Sequence, residues 1–154
     1  MHPEKKLEQI GLTLPPVASP IANFVNYRIA GDLLYISGQG TRTSEGVMLT
    51  GKLGRDLTTA EGYKHARQAG MNLLAVAKDA LGDLGRIEAV VKLLGMVNAT
   101  PDFDEHPQVI NGCSDLLVEV LGKEVGAHAR SAIGFSSLPG GISVEIEAIM
   151  KIKQ

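Results

Sequence analysis

RSAIGFSSLPGGISVEIEAIMK (residues 130–151) is the stretch on which the fold turns. Two runs of alternating residues, 130–137 and 142–151, flank the turn sequence Leu138-Pro139-Gly140-Gly141. With Pro139-Gly140 at the turn centre, they read as an antiparallel hairpin. That register sets Arg130 opposite Ile149, Ala132 opposite Glu147 and Gly134 opposite Glu145. One face then carries Ile133, Phe135, Val144, Ile146, Ala148 and Met150, a set suited to a core. The other carries Arg130, Ala132, Gly134, Glu145 and Glu147. A one-residue slip would mix the two sets, so the alternation favours this register. Arg130 and Glu145 fall on the same non-core face, roughly 13 Å apart at ~3.3 Å per residue. A small ligand fits between such a cation and carboxylate. The plainer reading is a solvated sheet face with ordinary charges.

The segments before this stretch fix the fold class. AVVKLLGMV (89–97) is apolar on both parities, with Val91, Leu93 and Val97 on one and Val90, Leu94 and Met96 on the other. It reads as a strand buried on both faces. Thr58-x-x-Glu61 is a capping box, and Tyr63, Ala66, Gly70, Leu73, Ala77 and Leu81 follow at helical spacing up to Gly82. Its small residues suit close packing on a sheet. A second helix is expected over about 105–121, capped by Asp102 or Asp104, with Pro107 in its first turn and Val109, Cys113, Leu116 and Val120 as its stripe. Strands over 24–29 and 33–37 flank Gly31-Asp32 as a hairpin. PEKKLEQI (3–10) reads as a short helix, and Leu14-Pro15-Pro16 continues it as an extended arm, so residues 1–20 precede the body of a single domain.

The order ββ-α-β-α-ββ defines an α+β domain, a mixed sheet with two helices on one face. Two helices cover one sheet face. The other must meet something else, most simply another copy of the chain.

Composition narrows the function. The chain has 154 residues, net charge −2, 44% hydrophobic and 21% charged residues, and 18 glycines. The single cysteine, Cys113, excludes a disulfide framework and a cysteine-based zinc cage. The four histidines show no metal-ligand spacing, so no metal is expected; His128 falls close to Arg130. No apolar run approaches the ~18 residues of a membrane span. The start lacks a signal peptide's apolar core, so a cytoplasmic chain without membrane attachment is expected. Scattered Lys and Arg leave no footprint for nucleic acid. Ser37 has no histidine–acid pair beside it and reads as a strand-end hydrogen bonder. Arg42, Lys52 and Arg55 lie in a glycine-bearing loop, 41–56, that reads as solvated and capable of motion.

Ser37-Gly38-Gln39, Asn111, Arg130-Ser131, Leu138-Pro139 and Val144-Glu145-Ile146-Glu147-Ala148, in that order, resemble the Rid/YjgF family of reactive imine/enamine deaminases, also labelled endoribonuclease L-PSP. The resemblance runs from about Ile21 to Lys151 and is closest to the chorismate-mutase-like branch. It implies a homotrimer with clefts between subunits and no cofactor. Arg130 would hold the carboxylate of a 2-imino acid, since its fork matches a planar carboxylate. Glu145 would orient or activate the attacking water. The backbone at Ser37 and Gly38 would line the cleft, and Asn111 would add an amide from a neighbouring subunit. The products would be a 2-keto acid and ammonia. The chain departs from the family pattern in three places. Phe24 stands where many members have tyrosine, and its ring would still wall the substrate cleft, against plain core packing; Ala132, in the substrate site, stands where many have cysteine; and two extra residues separate Asn111 from Arg130. The alternatives are a non-catalytic module that binds small carboxylates, or an endoribonuclease as in the older label.

Overall fold

Thr58 and Gly82 bound the longest helix in the computed structural model, which describes residues 1–154. The Thr58 hydroxyl accepts from the Glu61 N–H at 3.1 Å, and the Glu61 carboxylate accepts from the Thr58 N–H at 3.3 Å. Gly82, at φ 77°, closes the other end. Between them runs α2, Thr59–Leu81, after α1, Pro3–Gln9, and the hairpin β1, Tyr27–Ala30, and β2, Leu33–Gln39. Then follow β3, Ile87–Asn98, α3, His106–Leu121, the single turn α4, Lys123–Gly126, and β4, Ala129–Phe135, and β5, Val144–Ile152. The expected order of elements is therefore present. The N-cap of α3 is Glu105, with no side-chain capping bond, rather than Asp102 or Asp104. The Glu105 carboxylate instead accepts a short hydrogen bond from the Thr59 hydroxyl.

The five strands form one mixed sheet in the order β1-β2-β5-β3-β4. This overturns the C-terminal hairpin. β4 and β5 do not pair; β3 lies between them, parallel to β4 and antiparallel to β5. β3 takes the place between β5 and β4, and the connection 136–143 only has to arch over the end of β3. Arg130 and Ala148 both pair with Leu93, whereas Glu145 and Ile133 both pair with Met96. Arg130, Ala132 and Gly134 therefore point to the helix-covered face, with Leu93, Val97, Ile146 and Ala148. Ile133 and Phe135 lie on the opposite face, 43% and 37% exposed, and not in the core.

A bulge between Val90 and Lys92 also shifts β3, so Val90 joins Leu93 in the core while Val91 is exposed. The small-residue stripe of α2 serves α3 rather than the sheet. A Cβ on Gly70 would lie 3.1 Å from Cys113 Sγ, and one on Gly112 of α3 would fall on the carbonyl of Tyr63. The two helices cross at backbone contact and cover one sheet face. The other face, bearing Tyr35, Leu94, Met96, Ile133 and Ile149, has no element of the chain over it.

Candidate functional site

The residues singled out in the sequence gather into two groups, one on each face of the sheet. The first lies on the open face, where the register of β2 against β5 shifts between Ile36 and Gln39. That irregularity brings Gly38 under Glu145. A Cβ on Gly38 would sit 2.9 Å from Glu145 Cδ, so the carboxylate rests where any other residue would place a side chain. Glu145 is half-buried and forms no ion pair. Burial, and secondarily the charge of Glu147, push its pKa above the ordinary carboxylate range. Ser37 donates its hydroxyl to the Val25 carbonyl at 2.6 Å, which ties the incoming arm to β2 and makes it a strand-end hydrogen bonder. Beside it runs a groove of about 620 Å³ whose walls include Phe24, Tyr35, Ser37, Lys92 and Glu147. Phe24 thus belongs to a groove wall and not to the core.

The second group lies on the helix side, at the β4 edge. Arg130 is half-buried beside α3, and no carboxylate is within ion-pair distance of it. Its Nη1 donates to Ser114 Oγ at 3.0 Å, and Nη2 makes a long 3.4 Å contact with the Pro107 carbonyl. Pro107, Asn111 and Ser114 recur at helical spacing on one face of α3, so Asn111 stands in the same row beside the guanidinium. Ala132 is partly buried against the core. His128, expected only to be near Arg130, lies 2.8 Å from Ser114 Oγ. The sequence reading missed Ser114. Its signal was the helical spacing from Pro107 and Asn111 on one face of α3.

Arg130 and Glu145 do not meet within one chain. Their strands flank β3, but their side chains leave the sheet in opposite directions. The expected shared face is an error of parity, caused by placing β4 directly against β5.

Other candidates have structural roles. Full burial pushes the Cys113 thiol up to about 12, which leaves it an inert core group. His65 Nδ1 lies 2.7 Å from Ser143 Oγ, but Ser143 is fully buried and has no access to a substrate. Lys52 Nζ donates to Asn98 Oδ1 at 2.7 Å and to the Ser136 carbonyl at 2.5 Å, and Arg55 pairs with Asp56 at 3.0 Å. Lys52 is thus committed within the chain, whereas Arg55 is exposed and pairs only with its sequence neighbour. Loop 41–56 is tied within itself and to α2: Thr41 donates to the Leu49 carbonyl at 2.6 Å, and Asn72 donates to the Arg42 carbonyl at 3.0 Å. No helix is long and apolar enough to cross a membrane.

Residues 4–141 match the family described as "YjgF/chorismate_mutase-like, putative endoribonuclease". The chain is 42% identical to Protein TCP17 of Trypanosoma cruzi over 146 residues, which covers 95% of this chain and 91% of that protein. Among solved structures, it is similar to the protein Atu1372 of Agrobacterium tumefaciens, of unknown function. The identity is 45% and the TM-score 0.89, over 98% of this chain and 94% of that one. A protein of Shewanella oneidensis described as a "putative endoribonuclease" is 35% identical with a TM-score of 0.95, over 99% of this chain and 100% of that one.

Proposed function

The chain belongs to the YjgF/chorismate-mutase-like family, and from that premise we propose that it hydrolyses small 2-imino acids, tautomers of enamines such as 2-aminoacrylate, to 2-keto acids and ammonia. One observation carries the reading. The two charged positions of the family pattern, Arg130 and Glu145, are both half-buried and both without an opposite charge, on opposite faces of the sheet. Each lacks what the other offers a zwitterionic or carboxylate-bearing substrate.

The reaction site is then composite. The β4–α3 edge of one copy, with Arg130 and Asn111, lies against the open face of a second, with Glu145, Gly38 and Phe24. This contact covers Tyr35, Leu94, Met96 and Ile149, and repeated around an axis it closes a homotrimer. The guanidinium holds the substrate carboxylate through charge-assisted hydrogen bonds. The Glu145 carboxylate takes a proton from water as the oxygen attacks the C=N carbon. That proton passes to the substrate nitrogen to complete the carbinolamine; Glu145 then takes the carbinolamine hydroxyl proton and delivers it to the same nitrogen as the C–N bond breaks, releasing ammonia and leaving the 2-keto acid. An imine carbon is already electrophilic, so placement of carboxylate and water supplies the main acceleration, and the reading calls on no metal or organic cofactor.

The missing tyrosine hydroxyl at Phe24 and thiol at Ala132 favour a second reading, a module that binds 2-keto acids without turnover. The ribonuclease of the family's description finds less support, because Lys52 is committed to Asn98 and Ser136 and Arg55 pairs with Asp56. The test is to generate 2-iminobutyrate and 2-aminoacrylate in situ with a dehydratase and follow 2-keto-acid release. The wild type is expected to accelerate release and Arg130→Ala to fall to the buffer rate. Equal release by both would refute the anchor. Tight 2-oxobutyrate binding with no acceleration would establish the second reading.

A further inference from the structure

Arg130 is held from behind by a directed chain of three polar groups. His128 Nδ1 lies 2.7 Å from the Gly126 carbonyl, which can only accept, so Nδ1 carries a proton, and in the neutral ring Nε2 is then bare. Ser114 Oγ lies 2.8 Å from that bare nitrogen, so the serine hydroxyl donates to it. The Ser114 oxygen then has its lone pairs free, and Nη1 of Arg130 donates to it at 3.0 Å. Each link fixes the direction of the next, from a backbone carbonyl to the guanidinium.

The chain engages Nη1 and one N–H of Nη2, and leaves Nε and the other N–H of Nη2. Nη2 has only its 3.4 Å contact with the Pro107 carbonyl, and Nε has no partner. Nε and Nη2 form one edge of the planar fork, and two parallel N–H groups on one edge match the two oxygens of a carboxylate. We infer that Ser114 and His128 are positioning residues, which hold Nη1 so that a substrate carboxylate is taken side-on by Nε and Nη2 of Arg130. An arginine left loose loses several torsions on capturing a ligand; one already tethered loses fewer. The gain is in binding, not in the chemical step.

The inference rests on the imine-hydrolase reading, and the experiment separates the two. Steady-state hydrolysis of 2-iminobutyrate is measured for the wild type, Ser114→Ala, Ser114→Thr, His128→Phe and Arg130→Ala, with a thermal melt of each. Ser114→Ala and His128→Phe are expected to raise KM about tenfold with kcat within about twofold, a loss of ground-state placement. Ser114→Thr keeps the hydroxyl and returns KM to within about threefold of the wild type. In a crystal structure with 2-oxobutyrate bound, both carboxylate oxygens should lie on Nε and Nη2 with Nη1 still on Ser114. Wild-type KM in Ser114→Ala and His128→Phe, with turnover lost in Arg130→Ala, would overturn the inference and leave the reading standing. So would a loss of kcat at constant KM, or a carboxylate on Nη1 with Ser114 displaced. Unchanged turnover in Arg130→Ala would bring down the reading and the inference together.

Discussion

In the proposed hydrolysis Glu145 would carry the acid–base chemistry, and its surroundings set the pH at which it would work. Half-burial and the neighbouring Glu147 raise its pKa above the ordinary value of 4.5. A general base must be ionised, so the acidic limb of the rate profile should lie above the usual carboxylate range. Glu147→Gln removes a like charge and should move that limb to lower pH. Glu145→Gln should cost about 10²–10⁴ in kcat, the usual contribution of a placed acid–base group. A pH–rate profile of the three proteins checks both statements; a limb that stays in place in Glu147→Gln would assign it to another group.

The helices depend on contacts too close for any side chain. Gly112 of α3 lies on the carbonyl of Tyr63 in α2, where an added Cβ has nowhere to go. Gly112→Ala should destabilise by about 3 kcal/mol, the overpacking cost of a backbone clash, and lower Tm by roughly 10 °C. A melt within two or three degrees of the wild type would show that the helices can part cheaply. Two residues beyond Tyr63 along α2, burial holds the pKa of His65 below 6.5. The unfolded chain therefore binds this proton first as pH falls. The stability due to neutral His65 is whole above pH 6.5, erodes as pH drops below it, and levels off beneath the folded pKa. Glu145, with a raised pKa, contributes in the opposite sense, so the comparison must isolate His65. The difference in Tm between the wild type and His65→Gln should shrink between pH 7.5 and pH 5; a constant difference would mean that His65 does not titrate with folding. These elements were legible because their signals are local. Thr58, Glu61 and Gly82 bound α2 within a residue of the expected ends, and Gly31-Asp32 joins the β1–β2 hairpin. The cap of α3 was not legible, because Glu105 uses its carboxylate on Thr59 in another element.

The whole molecule depends on pairings that no local pattern encodes. Pro139-Gly140-Gly141 looks the same whether a chain turns back on itself or arches over a third strand. Alternation in 130–137 and 142–151 identified two strands but not their neighbour. β3, apolar on both parities, reads as a strand buried on both faces, a pattern that does not say that it lies between β4 and β5. Placing β3 there changes the parity of β4 by one, and Arg130 and Glu145 pass to opposite faces. The identity of the candidate residues was thus legible, and their arrangement was not. The correction also strengthens the case for association, since one chain alone leaves both charges unpaired and an apolar face open.

Subunit mixing tests this central claim most directly. Arg130→Ala and Glu145→Gln are each expected to be inactive alone. Denatured together in equal amounts and refolded, they should form mixed assemblies in which about a quarter of the clefts join an intact Arg130 to an intact Glu145 from different copies. Imine hydrolysis should return to about a quarter of the activity of wild-type protein refolded in parallel. No recovery in the mixture, with full recovery in that wild-type control, would contradict a site shared between copies.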